Sequence, residues 1–246
     1  MTMLRKSALG LALGAAAALA ASSAGAVTYK VYDQFNIAAG GGSITAANFA
    51  FGYLPGGDTF SGALTSFSRF DTACNGSVDY QCAATFSGDT TPGVYKAAGA
   101  HATGTVRFEP GELNLHTGAS GEAAGVQFIA PVAGLYTFKG VFSVNDIDNP
   151  GGVALSAFVG TDSEFSSTLA GPLGTSSLFN FTAELAADER VTFLVGRNGS
   201  YANDSTGFAL TVSTGAVPEP SAWAMMILGF GGAGALLRRR RGEIFA

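Results

Sequence analysis

The segment Leu135-Tyr136-Thr137-Phe138-Lys139-Gly140-Val141-Phe142-Ser143-Val144 decides the fold. In an extended chain successive side chains point to opposite sides, so Tyr136, Phe138, Phe142 and Val144 share one face while Thr137, Lys139 and Ser143 share the other. The same alternation returns at 178–185, with Phe179, Phe181, Ala183 and Leu185 inward and Asn180, Thr182 and Glu184 outward. Val191, Phe193 and Val195 repeat it, as do Phe208, Leu210 and Val212. Val126 with Phe128, and Val153, Leu155 and Val159, supply two further strands, each set off by Gly, Pro, Asn or Asp. With no helical period between them, these strands predict an all-β, antiparallel β-sandwich of jelly-roll type around a phenylalanine-rich core.

Upstream the signal is less regular. Residues 27–35 and 48–53 read as strands, with shorter ones at 65–70, 94–96, 105–108 and 112–115. Stretches 38–43, 55–62 and 87–104 are rich in Gly, Ser, Thr and Ala and read as long surface loops. No linker interrupts the chain before residue 215, so one β-sandwich body over 27–214 is expected.

Composition agrees with this picture. The 246 residues include 35 glycines and only 13% charged side chains, and glycine at about twice its usual ~7% suits a turn-rich exported protein. Between residues 27 and 216 there are seven basic and sixteen acidic side chains, a net charge of −9. Such a field repels phosphate backbones and anionic lipid surfaces, so no nucleic-acid partner is expected, and a partner should be neutral, cationic or a metal ion.

The two ends carry addresses. Residues 1–26 begin with Arg5 and Lys6, run apolar from Ala8 to Ala21, and finish Ala24-Gly25-Ala26. This is the grammar of a signal peptide cut by signal peptidase after Ala26. Residues 215–246 contain Val217-Pro218-Glu219-Pro220, then Trp223-Ala224, an apolar glycine-rich run to Leu237, and Arg238, Arg239, Arg240 and Arg241. The prolines break preceding structure, the tryptophan suits a lipid interface, and the arginines hold the end of a short transmembrane helix in the cytoplasm. The run is shorter than the ~20 residues of an average span, which fits a temporary anchor.

Pro218-Glu219-Pro220 with Trp223-Ala224, the glycine-rich apolar stretch and the terminal arginines resembles the PEP-CTERM sorting signal of Gram-negative bacteria, in its PEP-x-x-W-A form. The resemblance implies transient anchoring in the inner membrane, cleavage by an exosortase near the Pro-Glu-Pro motif, and delivery to the cell surface or exopolysaccharide matrix. A tail of this kind is also catalogued as an ice-binding protein C-terminal domain, a heading that carries no claim about the body, which lacks repeated Thr-x-Thr arrays. In the body, Asp33-Gln34-Phe35, Phe51-Gly52-Tyr53, Leu113-Asn114-Leu115-His116-Thr117-Gly118 and the stretches 128–136 and 198–207 resemble a jelly-roll module of exported bacterial proteins, and Ala130-Pro131-Val132-Ala133-Gly134-Leu135-Tyr136 within them also resembles the start of C1q-like and lectin-like sandwiches.

Four groups of residues bear on chemistry. Cys74 and Cys82 enclose seven residues of an exported chain, which predicts a structural disulfide. Asn145, Asp146, Asp148 and Asn149 gather hard oxygen ligands of the type calcium takes. The same residues are ordinary turn formers and the twelve-residue EF-hand spacing is missing, so a turn and no metal is the expectation. Tyr201, Asn203 and Asp204 pair an aromatic with polar groups that suit a sugar, against the competing reading of an Asx-type turn before the last strand.

The fourth group holds the residues an enzyme would need. The chain has two histidines, His101 and His116, and no zinc-protease, serine-hydrolase or phosphate-loop motif. His116 reads as a strand-end residue bonded to its own turn, and Glu109, Glu112 and Glu122 as solvated loop charges. No catalytic residue and no cofactor is expected. The leading expectation is a non-enzymatic structural or adhesive surface protein associated with exopolysaccharide. The alternatives are a carbohydrate-binding module using Tyr53, Tyr80, Tyr95 and Tyr201, and a polysaccharide-active enzyme.

Overall fold

A computed structural model describes residues 26–56, 60–74, 77–85, 91–148, 151–215 and 230. The expected signal peptide before Ala26, Asn149, and the sorting residues Pro218, Glu219, Pro220, Trp223, Ala224 and Arg238 to Arg241 lie outside the described residues. Residues 26–215 make one compact unit.

In chain order the elements are β1 (Thr28–Lys30), α1 (Val31–Gln34), β2 (Phe49–Leu54), β3 (Thr65–Ser66), β4 (Arg69–Asp71), β5 (Tyr80–Ala84), β6 (Gly93–Ala97), β7 (His101–Thr103) and β8 (Val106–Phe108). They continue with β9 (Leu113–His116), β10 (Ala123–Ile129), β11 (Gly134–Val144), β12 (Val153–Val159), β13 (Asp162–Leu169), β14 (Ser176–Leu185), β15 (Arg190–Arg197) and β16 (Thr206–Thr214). Every strand pairing is antiparallel. One sheet runs β14-β11-β16-β9-β6-β5-β4, with β1 also paired to β16; the other runs β13-β12-β15-β10-β2-β3. Strands β9 to β16 order themselves as β9-β16-β11-β14 in the first sheet and β10-β15-β12-β13 in the second. That is a jelly-roll-like alternation of a chain crossing between two sheets.

The core lies between the sheets and is aromatic. Phe138, Phe142, Phe179 and Phe208 come from the first sheet and Phe128 and Phe193 from the second, and all six are buried. Ring centroids stand 5.2 Å apart for Phe179–Phe193 and 5.6 Å for Phe128–Phe138, contacts that join the sheets, and 4.8 Å apart for Phe142–Phe208 on neighbouring strands of the first sheet. Gly140 occupies the inward position between Phe138 and Phe142, and a Cβ there would collide with the Phe179 ring and the Ala209 carbonyl. The missing side chain is what lets Phe179 enter the core.

The alternation of β14 appears as alternating burial, and Tyr136, Phe138, Phe142 and Val144 of β11 are fully buried. Strands β10 and β15 instead are buried along nearly their whole length. Segment 60–66 covers their outer face: Gln127 Nε2 donates to Thr192 Oγ1 at 2.8 Å and to Gly62 O at 3.1 Å, and Gln127 Oε1 accepts from Arg190 at 2.9 Å.

Several upstream expectations are corrected. Residues 27–35 are a three-residue strand followed by a helical turn, because Val31 and Phe35, four apart, are both fully buried and Phe35 N–H donates to Val31 O. Residues 65–70 split into β3 and β4, which belong to different sheets. In stretch 87–104, read as a loop apart from the short strand at 94–96, that strand appears as β6 and β7 follows it as an addition, and β5 and β13 carry no alternation that marks them as strands. Glu112 is no free solvated charge: Ser143 Oγ donates to its carboxylate at 2.7 Å. Among the described residues no helix is long and apolar enough to cross a membrane.

Candidate functional site

The first sheet carries a second layer on its outer face. Val94, Leu113 and Leu115 point into the main core, so their neighbours Tyr95, Asn114 and His116 point outward. Over β5 and β6 folds the β7–β8 hairpin, turning at Gly104, whose φ of 55° suits a residue without a Cβ. Tyr80, Cys82, Ala97 and Phe108 pack beneath it with Cys74, and Tyr80 stacks on Phe108 at 5.1 Å. Cys74 and Cys82 form the expected disulfide, with Cα atoms 5.5 Å apart. His101 sits in β7 beside these rings, 5.6 Å from Tyr80 and 5.9 Å from Phe108.

The hairpin is tied to the end of β11. Arg107 N–H donates to Asn145 O at 2.7 Å and Ile147 N–H to Thr105 O at 3.1 Å, making an antiparallel bridge between Val106 and Asp146. The stretch considered for calcium is therefore committed to strand pairing, with Asp148 N–H donating to Asp146 Oδ1 at 3.2 Å as a turn would have it. Asn145 and Asp146 are buried. Among the described residues no group of three His, Cys, Asp or Glu is placed to hold a metal ion.

Between the hairpin and the loop 198–205 opens a cleft of about 630 Å³, within the range of small-molecule sites. Tyr80, Tyr95 and Phe108 form its aromatic side, and Asn114 and His116 rise from β9. Asp146, Tyr201, Asn203 and Ser205 complete it from the opposite side. Among its lining residues there is no Lys or Arg, and Asp146 is the one carboxylate. Asn114 Nδ2 is buried and has no hydrogen-bond partner among the described residues.

Of the sugar-site candidates, Tyr201 and Asn203 line the cleft. Asn203 takes a φ of 63°, the left-handed conformation of a turn residue, and Ala202 N–H donates to Ser200 Oγ. Asp204 goes elsewhere. It is fully buried behind the cleft, where Oδ2 accepts from Thr117 Oγ1 at 3.0 Å and Oδ1 has no partner among the described residues. Burial pushes its carboxyl up to about 7; the Thr117 hydrogen bond works against that rise, and the charge of Asp146 adds to it. Of the tyrosines, Tyr80, Tyr95 and Tyr201 meet in the cleft, whereas Tyr53 stacks on Phe67 at 5.8 Å in the other sheet's layer. His116 keeps the bond expected of it, with Nδ1 2.7 Å from Thr117 O.

Sequence reading missed the hairpin that closes the cleft and the part played by Asn114. The usable signal was Thr103-Gly104-Thr105 between His101 and the alternating Val106 and Phe108, a hairpin turn hidden inside a small-residue stretch. A second cluster lies beside Asn114. Gly207 stands opposite Asn114 and Ser143, and a Cβ on it would strike the Glu112 carboxylate, Ser143 Oγ and Asn145 Nδ2. Glycine there is what allows these polar groups to converge on the outer face.

No curated protein matches the chain. Among solved structures, it is similar to a family 51 carbohydrate-binding module from Clostridium perfringens in complex with methyl-galactose, at 13% identity and a TM-score of 0.30, over 44% of this chain and 72% of that one. It is similar to a family 35 carbohydrate-binding module from Clostridium thermocellum at 15% identity and a TM-score of 0.30, over 46% and 85%. It is also similar to the C-terminal family 6 module of a marine laminarinase from Zobellia galactanivorans at 13% and 0.25, over 42% and 88%. Residues 216–241, which hold the Pro-Glu-Pro, Trp-Ala and arginine elements, match the model of one sorting family. The chain carries a PEP-CTERM protein-sorting motif at residues 216–241.

Proposed function

We propose that this is an exported protein, sorted by an exosortase to the cell surface or exopolysaccharide matrix, where its β-sandwich has a non-enzymatic adhesive or structural role. The observation that carries the reading is the PEP-CTERM match over residues 216–241. In this account signal peptidase removes residues 1–26, the apolar run before Arg238 anchors the chain transiently in the inner membrane with its end in the cytoplasm, and cleavage near Pro218 releases the sandwich. Replacing Pro218, Glu219 and Pro220 by alanine should leave the protein exported but retained at full length in the inner membrane. Cell fractionation and immunoblotting read this directly, and normal release of the variant contradicts it.

The cleft favours a second reading, in which the sandwich is a carbohydrate-binding module. Its mixture of aromatic and polar side chains is what a recognition site requires. The lone lining carboxylate, Asp146, supports binding over hydrolysis, since glycoside hydrolysis by the usual route needs two.

A further inference from the structure

We infer that the cleft between the β7–β8 hairpin and the loop 198–205 binds an uncharged pyranose of a polysaccharide, with its apolar ring face against Tyr95 and Tyr201 and its hydroxyls against Asn114 and Asp146. The inference deepens the carbohydrate-binding reading and rests on it. Three observations point to this ligand class and away from others.

The first is the mixed surface. Tyr95 and Tyr201 are half-buried and line the cleft beside polar groups. A pyranose has the matching division, with C–H groups on its faces and hydroxyls around its edge. The second is charge. With Asp146 on the wall, no Lys or Arg in the lining and a net −9 across residues 27–216, the field repels uronates, sulfates and phosphates. The third is the hydrogen-bond inventory. Asn114 is 98% buried, and its Nδ2 is a donor without an acceptor among the described residues, a deficit of the kind that favours a ligand oxygen.

The pairing of Asn114 with Asp146 narrows the choice. A hydroxyl accepts from an amide and donates to a carboxylate, so one functional group, repeated around a sugar ring, answers both. A cationic side chain would satisfy Asp146 and leave the amide donor facing another donor. A metal ion would meet that donor too, and the described residues hold no three-ligand cluster for it.

The test is calorimetric titration of the full chain in a zwitterionic, sugar-free detergent with gluco-, galacto-, manno- and xylo-tetraose and with tetragalacturonate. At least one neutral tetraose should bind saturably, with tetragalacturonate at least tenfold weaker. Tyr201→Ala should weaken the bound tetraose roughly tenfold without lowering the melting temperature, while Tyr201→Phe stays within about threefold. Tyr53→Ala, in the other sheet, should leave affinity unchanged. Failure of every neutral tetraose to bind, tighter binding of the galacturonate, or binding indifferent to Tyr201→Ala overturns the inference. Because fractionation of the Pro-Glu-Pro variant depends on the tail alone, a protein sorted normally that binds no sugar overturns the cleft and leaves the sorting reading standing. Sugar binding that survives Tyr201→Ala keeps the carbohydrate-binding reading and moves its site elsewhere.

Discussion

Strands β9 to β16 and the segments before them are built on different principles. Among the later strands β14 shows a two-residue period of burial and β11 and β16 a two-residue period of apolar residues, and the inward phenylalanines of β10, β11, β14, β15 and β16 make one core between the sheets. The earlier segments contribute little to that period. They extend both sheets and add Val31, Phe35, Phe49, Phe51, Phe67 and Val94 to the core, and parts of them cover the outer faces, with 60–66 over β10 and β15 and the β7–β8 hairpin over β5 and β6, where the hairpin forms one wall of the cleft. The difference separates two tasks: periodic sequence specifies the scaffold, and aperiodic sequence laid over it makes the concave surface a ligand needs.

The sharpest way to break this division is to attack the scaffold. Phe138→Ala empties a fully buried ring site in contact with Phe128, Phe181 and Phe193, and should cost about 3–5 kcal/mol in urea unfolding. A loss below about 1 kcal/mol would mean that the sheets are not held together by this aromatic core.

Asp204 links the two regions, since it lies behind the cleft next to the start of β16. With its carboxyl raised from 3.8 to about 7, the native state holds a proton that the unfolded chain has already released between those pH values. Its contribution to stability is therefore present below about pH 4, falls as pH rises through 4 to 7, and is flat above, an effect on the order of 4 kcal/mol. Asp204→Asn should match the native chain at pH 4 and exceed its stability above pH 7, measured as the difference between their urea midpoints. Parallel pH profiles for the two proteins would show that the carboxyl titrates normally.

Cutting the disulfide tests the added layer. Cys74→Ser with Cys82→Ser should lower stability by about 2.5 kcal/mol on the chain-entropy model, and should loosen the hairpin more than the core in amide exchange. Uniform loss of protection would make the layer part of the scaffold. The smallest effect is expected at the rim, where Tyr201→Ala should change stability by no more than about 0.5 kcal/mol.

Legibility in the sequence follows the same line. Tyr136, Phe138, Phe142 and Val144 announced their face because each sits two residues from a partner in a long strand with one polar side. Val31 and Phe35 misled because a single helical turn is too short to display its period beside a strand. Strand β5, Tyr80–Ala84, is buried on both faces and shows no alternation to read. The Cys74–Cys82 disulfide was legible from the close spacing of two cysteines in a chain expected to be exported. The cleft was half legible: Tyr80, Tyr95 and Tyr201 stood out as aromatics, but only folding brings residues from β5, β6 and the loop 198–205 to one place. Asp204 looked like a loop residue beside Asn203, yet the left-handed backbone at Asn203 places it inward, a turn of direction that residue type does not encode.

If the cleft is the binding site, the outer face of the first sheet and the layer over it, and not the sandwich core, meet the ligand. Amide chemical-shift mapping of the full chain, titrated with the neutral tetraose that binds it, tests this most directly. Shifts should concentrate at Tyr95, Asn114, Asp146 and Tyr201, with Tyr53, Phe138 and Phe193 unmoved. Shifts centred on the second sheet, or none above those produced by tetragalacturonate, would contradict it.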